Sequence, residues 1–420
     1  MRRYVWPAVW LSYSGFVLVG LTSGSSGVLL LAQIRDYGVD RAVIGISFFA
    51  SSAGFFLASL NTGPLLHRFG FRGTMVAGSG LFVLTGLYLA SRPPFWAFVA
   101  VQLACGYAVG LFESVLNAYL VELPNATSQM KATLINRLHA FFGVGALLGP
   151  AMAAWIVGFA SWRTVWLVLA LACVPLGAGF GVFYPRVRVV EPGETCPDGE
   201  VVESAKGGLL GAAVRERGVL LGAGMLAVYV GVELSMGSWG FSYLVQGRHL
   251  AESLAGYLVS GYWLGLTLGR FIISPIATRF GVTAVRLMYG CLAGILGAST
   301  LVWLIPGAAG TGVALMLLGF FLGPVFPTTM ALAPQMTEPR LQSTAIGVMN
   351  AASTVGGSAL PWLAGVIGQG AGIWALLPYT MTLAALQYVV WRPLATWIRR
   401  AGPLDRRQID GRVSLTDECG

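Results

Sequence analysis

Charge is what this sequence has least of. Only 10% of its 420 residues are Asp, Glu, Lys or Arg, against about 25% in a soluble domain. At the same time 56% are apolar and the mean hydropathy is +0.74. A water-soluble globule is excluded. Cysteine is scarce too: the chain has five, an odd number with no CxxC or metal-ligand spacing, so neither disulfides nor a metal site are expected. Histidine is confined to His67, His139 and His249. With no HExxH zinc site and no GxSxG nucleophile elbow, nothing points to an intramembrane enzyme, and no cofactor is expected. The 26 Lys and Arg against 17 Asp and Glu give a net charge of +9. They stand between hydrophobic runs and in the tail, with no basic patch of interleaved aromatics, so the pattern fits a lipid bilayer and not nucleic acid.

What is present is a series of long apolar runs. A helix needs about 20 such residues to cross about 30 Å of hydrocarbon. Twelve segments meet this: about 5–33, 41–66, 73–91, 94–121, 133–158, 162–184, 218–246, 252–277, 284–304, 308–333, 341–368 and 373–398. The fold class expected is therefore an all-α membrane protein of twelve transmembrane helices in two six-helix bundles. The division is 1–184 for the first bundle, 185–217 for a polar linker, 218–398 for the second bundle and 399–420 for a tail. Met1-Arg2-Arg3 before the first run reads as the start of an uncleaved helix, since no small-residue cleavage site follows. Placing the N-terminus in the cytoplasm puts eighteen Lys and Arg inside. Only Arg35, Arg41, Arg92, Arg163 and Arg248 fall outside, so both termini, the linker and the tail are expected on the cytoplasmic side of the cell (plasma) membrane.

The two bundles repeat. A gapless shift of 211 residues carries Gly54 onto Gly265, Pro64 onto Pro275 and Arg68-Phe69-Gly70 onto Arg279-Phe280-Gly281. Further on, the same shift carries Val144-Gly145 onto Val355-Gly356 and Pro150 onto Pro361. Each half has an even number of spans, so the halves are parallel repeats about an axis along the membrane normal, the layout of a two-bundle transporter.

Polar groups inside spans are costly and face the bundle interior or a water-filled cavity. They concentrate in spans four, five, seven, eight and eleven. In span four, Gln102, Gly106, Gly110, Glu113 and Asn117 share one helix face. Burial there favours a protonated Glu113 near neutral pH, which suits an ion-coupled carrier. Packing against a neighbouring helix is the competing account. Glu233 in span seven shares a face with Tyr229 near Trp239, a set that can hydrogen-bond and stack a sugar ring but that also occurs at helix contacts. His139 in span five is matched by Asn350 in span eleven through the repeat, and either a proton-relay or a structural role fits it. Arg270 in span eight reads as a snorkelling or gate-pairing cation. Gly319, Gly323, Pro324 and Pro327 are expected to loosen span ten.

These features resemble the major facilitator superfamily over all twelve spans. Gly63-Pro64-Leu65-Leu66-His67-Arg68-Phe69-Gly70-Phe71-Arg72 is similar to its cytoplasmic gate motif, with His67 where an acid is usual. The resemblance assigns Gly63, Arg68, Gly70 and Arg72 to that gate, and Arg279, the repeat mate of Arg68, and Arg270 are grouped with it by position. Glu113-Ser114-Val115-Leu116-Asn117 is similar to the Glu and Asn signature of the fucose–galactose–glucose:proton symporters. Tyr229-Val230-Gly231-Val232-Glu233 and the run from Asn136 to Gly143 resemble the sodium-dependent glucose transporter branch. Where the fucose permeases carry an aspartate in span one, this chain has Gly24, which counts against fucose. The resemblance implies alternating access by a monomer moving a small polar solute, a hexose-type sugar, with a proton as coupling ion in preference to sodium and Glu113 as proton site. The alternative is an efflux pump for drugs or amphipathic metabolites.

Overall fold

The computed structural model describes residues 2–123, 127–185 and 208–401. The linker from 186 to 207 and the tail from 402 lie outside the described residues. The described chain is helical: α1 (Arg2–Tyr37), α2 (Arg41–Ile44), α3 (Ile46–Ala90), α4 (Phe95–Val121), α5 (Ser128–Phe159), α6 (Trp162–Phe183), α7 (Gly208–Ala213) and α8 (Arg217–Ser242). It continues through α9 (Glu252–Arg279), α10 (Ala284–Leu304), α11 (Ala308–Leu322), α12 (Val325–Ala331), α13 (Gln342–Gly370) and α14 (Leu376–Ala401). Among the described residues nine stretches are long and apolar enough to cross a membrane, one of them the 50-residue stretch Arg41–Ala90. That stretch is two crossings, because Gly70 interrupts it at φ 67° and ψ 176°. A side chain strains that backbone; glycine does not. With α9 and α13, 28 and 29 residues long, the crossings number twelve.

The repeat is visible in how the helices seat. In each lobe the first crossing packs on the fifth and the second on the fourth: α1 on α5 and α3 on α4, then α8 on α13 and α9 on α11. Glycines allow the backbones to meet. A Cβ on Gly54 would strike the Leu103 carbonyl, and one on Gly106 the Ser51 carbonyl. In the second lobe Gly265 meets the Met316 carbonyl and Gly319 the Tyr262 carbonyl in the same way. Gly145 lies on the Val17 carbonyl and its repeat mate Gly356 on that of Ala227. The bend recurs as well, with Gly281 at φ 66°. Span ten breaks at Gly323-Pro324 into α11 and α12. Its glycines are also packing residues, since Gly319 and Gly323 lie flush on α9.

One end of the bundle carries the bends at Gly70 and Gly281 with Arg68, Arg72, Lys131, Arg279, Arg286 and Arg340; this is the basic end. The lobes are fastened to each other at the opposite end. There Arg41 donates Nη1 to the Gly368 carbonyl at 3.0 Å and Nη2 to Gln246 Oε1 at 2.8 Å. Its backbone N–H donates to Gln369 Oε1 at 3.2 Å, and Arg35 pairs with Glu252. Phe48 stands edge-on to Trp239, and Phe49 to Trp362. Towards the basic end, Asn61, Asn136, Arg137 and Asn350 are exposed. The lobes are thus closed at one end and parted at the other.

Candidate functional site

In the α8 turn from Tyr229 to Glu233, Tyr229, Gly231 and Val232 are buried, and Glu233 is only 8% exposed. An isolated carboxylate at that depth costs several kcal/mol, so a counter-charge is required. Arg270 of α9 supplies it: Nη2 lies 3.2 Å from Glu233 Oε1. Gly265 and Gly269 seat α9 against the Met316 and Phe320 carbonyls of α11, which fixes its rotation and carries Arg270 towards α8. Tyr262 Oη donates to the Glu233 carbonyl at 3.1 Å. The Tyr229 hydroxyl and Arg270 Nε approach the same cluster without closing a hydrogen bond. The guanidinium therefore has donors to spare.

Glu113 belongs to the other lobe and differs in kind. It is partly exposed, and among the described residues its carboxyl makes no hydrogen bond or ion pair. One turn on, Asn117 Nδ2 donates to the Glu113 backbone carbonyl at 2.8 Å. Electrostatic interaction reaches Glu113 from Arg270, and the same guanidinium acts on His139 of α5. His139 rests edge-on against Phe16, ring centroids 5.5 Å apart. The Arg270 guanidinium thus relates Glu113 and His139 of the first lobe to Tyr229 and Glu233 of the second, while Asn117 is bonded back onto its own helix.

Other expected members lie elsewhere. Gln102 is eleven residues from Glu113, about 16 Å along α4. The glycines between them are not cavity lining: Gly106 and Gly110 are the seam against α3. Trp239 is fully buried, with Nε1 donating to the Pro361 carbonyl at 2.8 Å, so in this state it closes the fastened end. Asn350 is exposed on α13 and shows no side-chain bond to the cluster. Arg270, grouped with the gate by position, lies nine residues deeper than Arg279, about 13 Å along α9, and pairs with Glu233. At the gate motif Gly70 makes the bend, Gly63 is unobstructed, Arg68 stacks 5.3 Å over Phe69, and His67 is exposed. Arg72 and Arg279 form no ion pair there among the described residues. Nor, among those residues, does any cluster of His, Cys, Asp and Glu suit a metal ion. Tyr262 and the Arg41 fastening are additions that sequence reasoning missed.

Two lobes related by a repeat, parted at one end over buried charge, define a membrane carrier. Comparison with known proteins agrees. The sequence pattern of the Major Facilitator Superfamily matches residues 12–361 and 221–414, and the chain belongs to that superfamily of membrane transporters. It is 27% identical over 401 residues to "Bypass of stop codon protein 6" of Saccharomyces cerevisiae, covering 90% of this chain and 80% of the yeast protein. To the "Glucose/mannose transporter GlcP" of Bacillus subtilis it is 20% identical over 419 residues, covering 96% and 98%. Among solved structures it matches a bacterial homologue of the human lysosomal transporter Spinster. That match has a TM-score of 0.75 at 12% identity, covering 96% of this chain and 99% of that one.

Proposed function

We propose that this transporter moves a small polar solute of the hexose class by alternating access, with a proton as coupling ion and Glu113 as proton site. It works as a monomer in the plasma membrane, with the basic end and both termini in the cytoplasm. The carrying observation is the contrast between the two embedded acids. Glu233 is held by Arg270 at 3.2 Å, whereas Glu113 has no partner among the described residues and is partly exposed. A free acid within a membrane-spanning helix can exchange a proton with an aqueous opening, whereas a paired one is occupied by its partner. The glucose/mannose transporter from Bacillus subtilis, similar over nearly its whole length, supports the sugar class.

The test is transport in proteoliposomes with labelled glucose. Glu113→Gln is expected to abolish pH-driven accumulation while counterflow exchange continues, since exchange needs no net proton movement. Undiminished uphill uptake by the variant would reject the proton site. Counterflow by a cationic drug and by none of a panel of sugars would reject the substrate class.

A further inference from the structure

The helix pair at the centre of the lobe interface has a readable register. Helices α5 and α9 run antiparallel. Gly256 meets Ala154 and the Pro150 carbonyl near the fastened end, and Gly143 meets the Thr267 side chain near mid-membrane. One turn further towards the basic end, this register sets His139 of α5 opposite Arg270 of α9. From there on the lobes are parted, with Asn136 and Arg137 exposed. Gly143 on Thr267 is thus a close contact of α5 with α9 just before this exposed stretch. Rocking about it moves the segments carrying Glu113 and His139 towards Arg270. The guanidinium is suited to a second partner. It makes one bond of 3.2 Å to Glu233, and its buried Nε has no partner among the described residues. A guanidinium has five N–H donors and binds carboxylates best with two of them.

We propose that Arg270 is the coupling residue of the carrier, held by Glu233 of its own lobe while the basic end is open and taken by Glu113 of the facing lobe when that end closes. The proposal rests on Glu113 as proton site. With a proton on Glu113 the carboxyl is neutral, and Arg270 keeps its bond to Glu233. Once the proton passes to the water of the opening, Glu113 is an anion facing a cation with spare donors, and their attraction draws the basic end shut. Arg270 of α9 is the charged group that acts on Glu113, and the same guanidinium acts on His139 of α5 and on Glu233, Tyr229 and Tyr262 of its own lobe. On the neighbouring helices, Ser59 of α3 lies beside Ser114 and Asn61 beside Tyr107, all neutral groups, and Phe16 of α1 lies against His139.

The experiment needs no solute, which separates it from the substrate question. Spin labels at Met130 and Ile346, both 38% exposed at the basic end of the two lobes, report the opening of the full chain in nanodiscs, in a background with the native cysteines replaced. From about pH 5 to about pH 8 the ratio of closed to open distances should rise by about tenfold or more in the unmodified carrier. Glu113→Gln should remove this response. Glu233→Gln should favour the closed form at lower pH, because Arg270 is released. The pair Glu233→Gln with Arg270→Gln leaves no unmatched charge to unfold the lobe, and it should also remove the response, whereas Arg270→Lys should restore part of it. His139→Gln should keep it. A response that survives in the double variant, or one lost only with His139→Gln, overturns the coupling role of Arg270 while leaving Glu113 as proton site. A response that survives Glu113→Gln rejects the proton site itself.

Discussion

The two lobes share a frame and differ in charge. Gly54 and Gly106 meet the Leu103 and Ser51 carbonyls in one, and Gly265 and Gly319 meet the Met316 and Tyr262 carbonyls in the other. The shift is 211 residues for the second crossing and 213 for the fourth, so the seam is conserved in three dimensions despite a two-residue insertion between them. On this matched frame the ionisable groups occur once each. Arg270 stands where the first lobe has Ser59, bonded to Ser114 at 3.5 Å, and Glu113 stands where the second has Phe326, packed against Tyr229. The repeat thus supplies the shared scaffold, while the charges stand in one copy only. The second lobe carries a closed ion pair and the first an open acid, the asymmetry on which the proposed coupling rests.

The largest effect that sharpens this contrast concerns the ion pair. Removing either Glu233 or Arg270 leaves a buried charge unmatched, and Arg270→Gln or Glu233→Gln alone should destabilise by about 3–5 kcal/mol. The double replacement should cost far less, since two neutral amides can hydrogen-bond each other at the same place. Thermal unfolding in a fixed detergent measures this as a coupling energy across a mutant cycle. Glu113→Gln should leave the unfolding temperature nearly unchanged. If that substitution unfolded the protein as readily as the loss of Glu233, the two acids would not differ as described.

The shared frame predicts a smaller and symmetric effect. Gly145→Ala and Gly356→Ala each drive a methyl into a backbone carbonyl that cannot move aside, Val17 in one lobe and Ala227 in the other. Each should cost about 1–3 kcal/mol of overpacking, and the two costs should agree. Gly63→Ala, where a Cβ meets nothing, should be silent on packing. A large inequality between Gly145→Ala and Gly356→Ala would break the equivalence of the lobes.

Much of this frame was legible from the sequence, because apolar runs and glycine spacing are local properties that persist when the helices assemble. The shift of 211 was visible at Arg68-Phe69-Gly70 and Arg279-Phe280-Gly281, and those segments became the two bends with positive φ. Glu113 and Glu233 stood out because an acid inside an apolar run is rare. Pairing was not legible. Arg270 and Glu233 are 37 residues apart on different helices, and no spacing rule links them. The available signal was the depth of Arg270, nine residues before Arg279 and too far along the helix to snorkel easily. Nor was the burial of Gln387 legible: it is fully buried because α14 turns that face onto its own lobe. Trp239 was plausible as a stacking platform only until its N–H was seen bonded to Pro361.

The smallest expected effects lie where the lobes touch at the fastened end, and they separate two arginines that sequence reading counted alike as outer-loop cations. Arg41 is half-buried among groups of the second lobe, giving one N–H to the Gly368 carbonyl at the end of α13 and another to Gln246. Hydrogen bonds from a charged donor to such carbonyls contribute about 1.5–3 kcal/mol each. Some of that is regained from water when the end opens. Arg41→Ala should therefore raise the population open at this end by about tenfold, roughly 1.4 kcal/mol. Arg35 also bridges the lobes, to Glu252, but its side chain is 49% exposed and its partner's 34%. Solvent screening and the entropy of two long side chains leave such a pair with less than about 1 kcal/mol. Arg35→Ala should shift the same population by about twofold or less, and added salt should erase the difference. Distances between spin labels across this end measure both variants. Equal shifts would mean that burial does not set the strength of the fastening, and that attraction between the lobes at this end is carried by the edge-on ring pairs of Phe48 with Trp239 and Phe49 with Trp362.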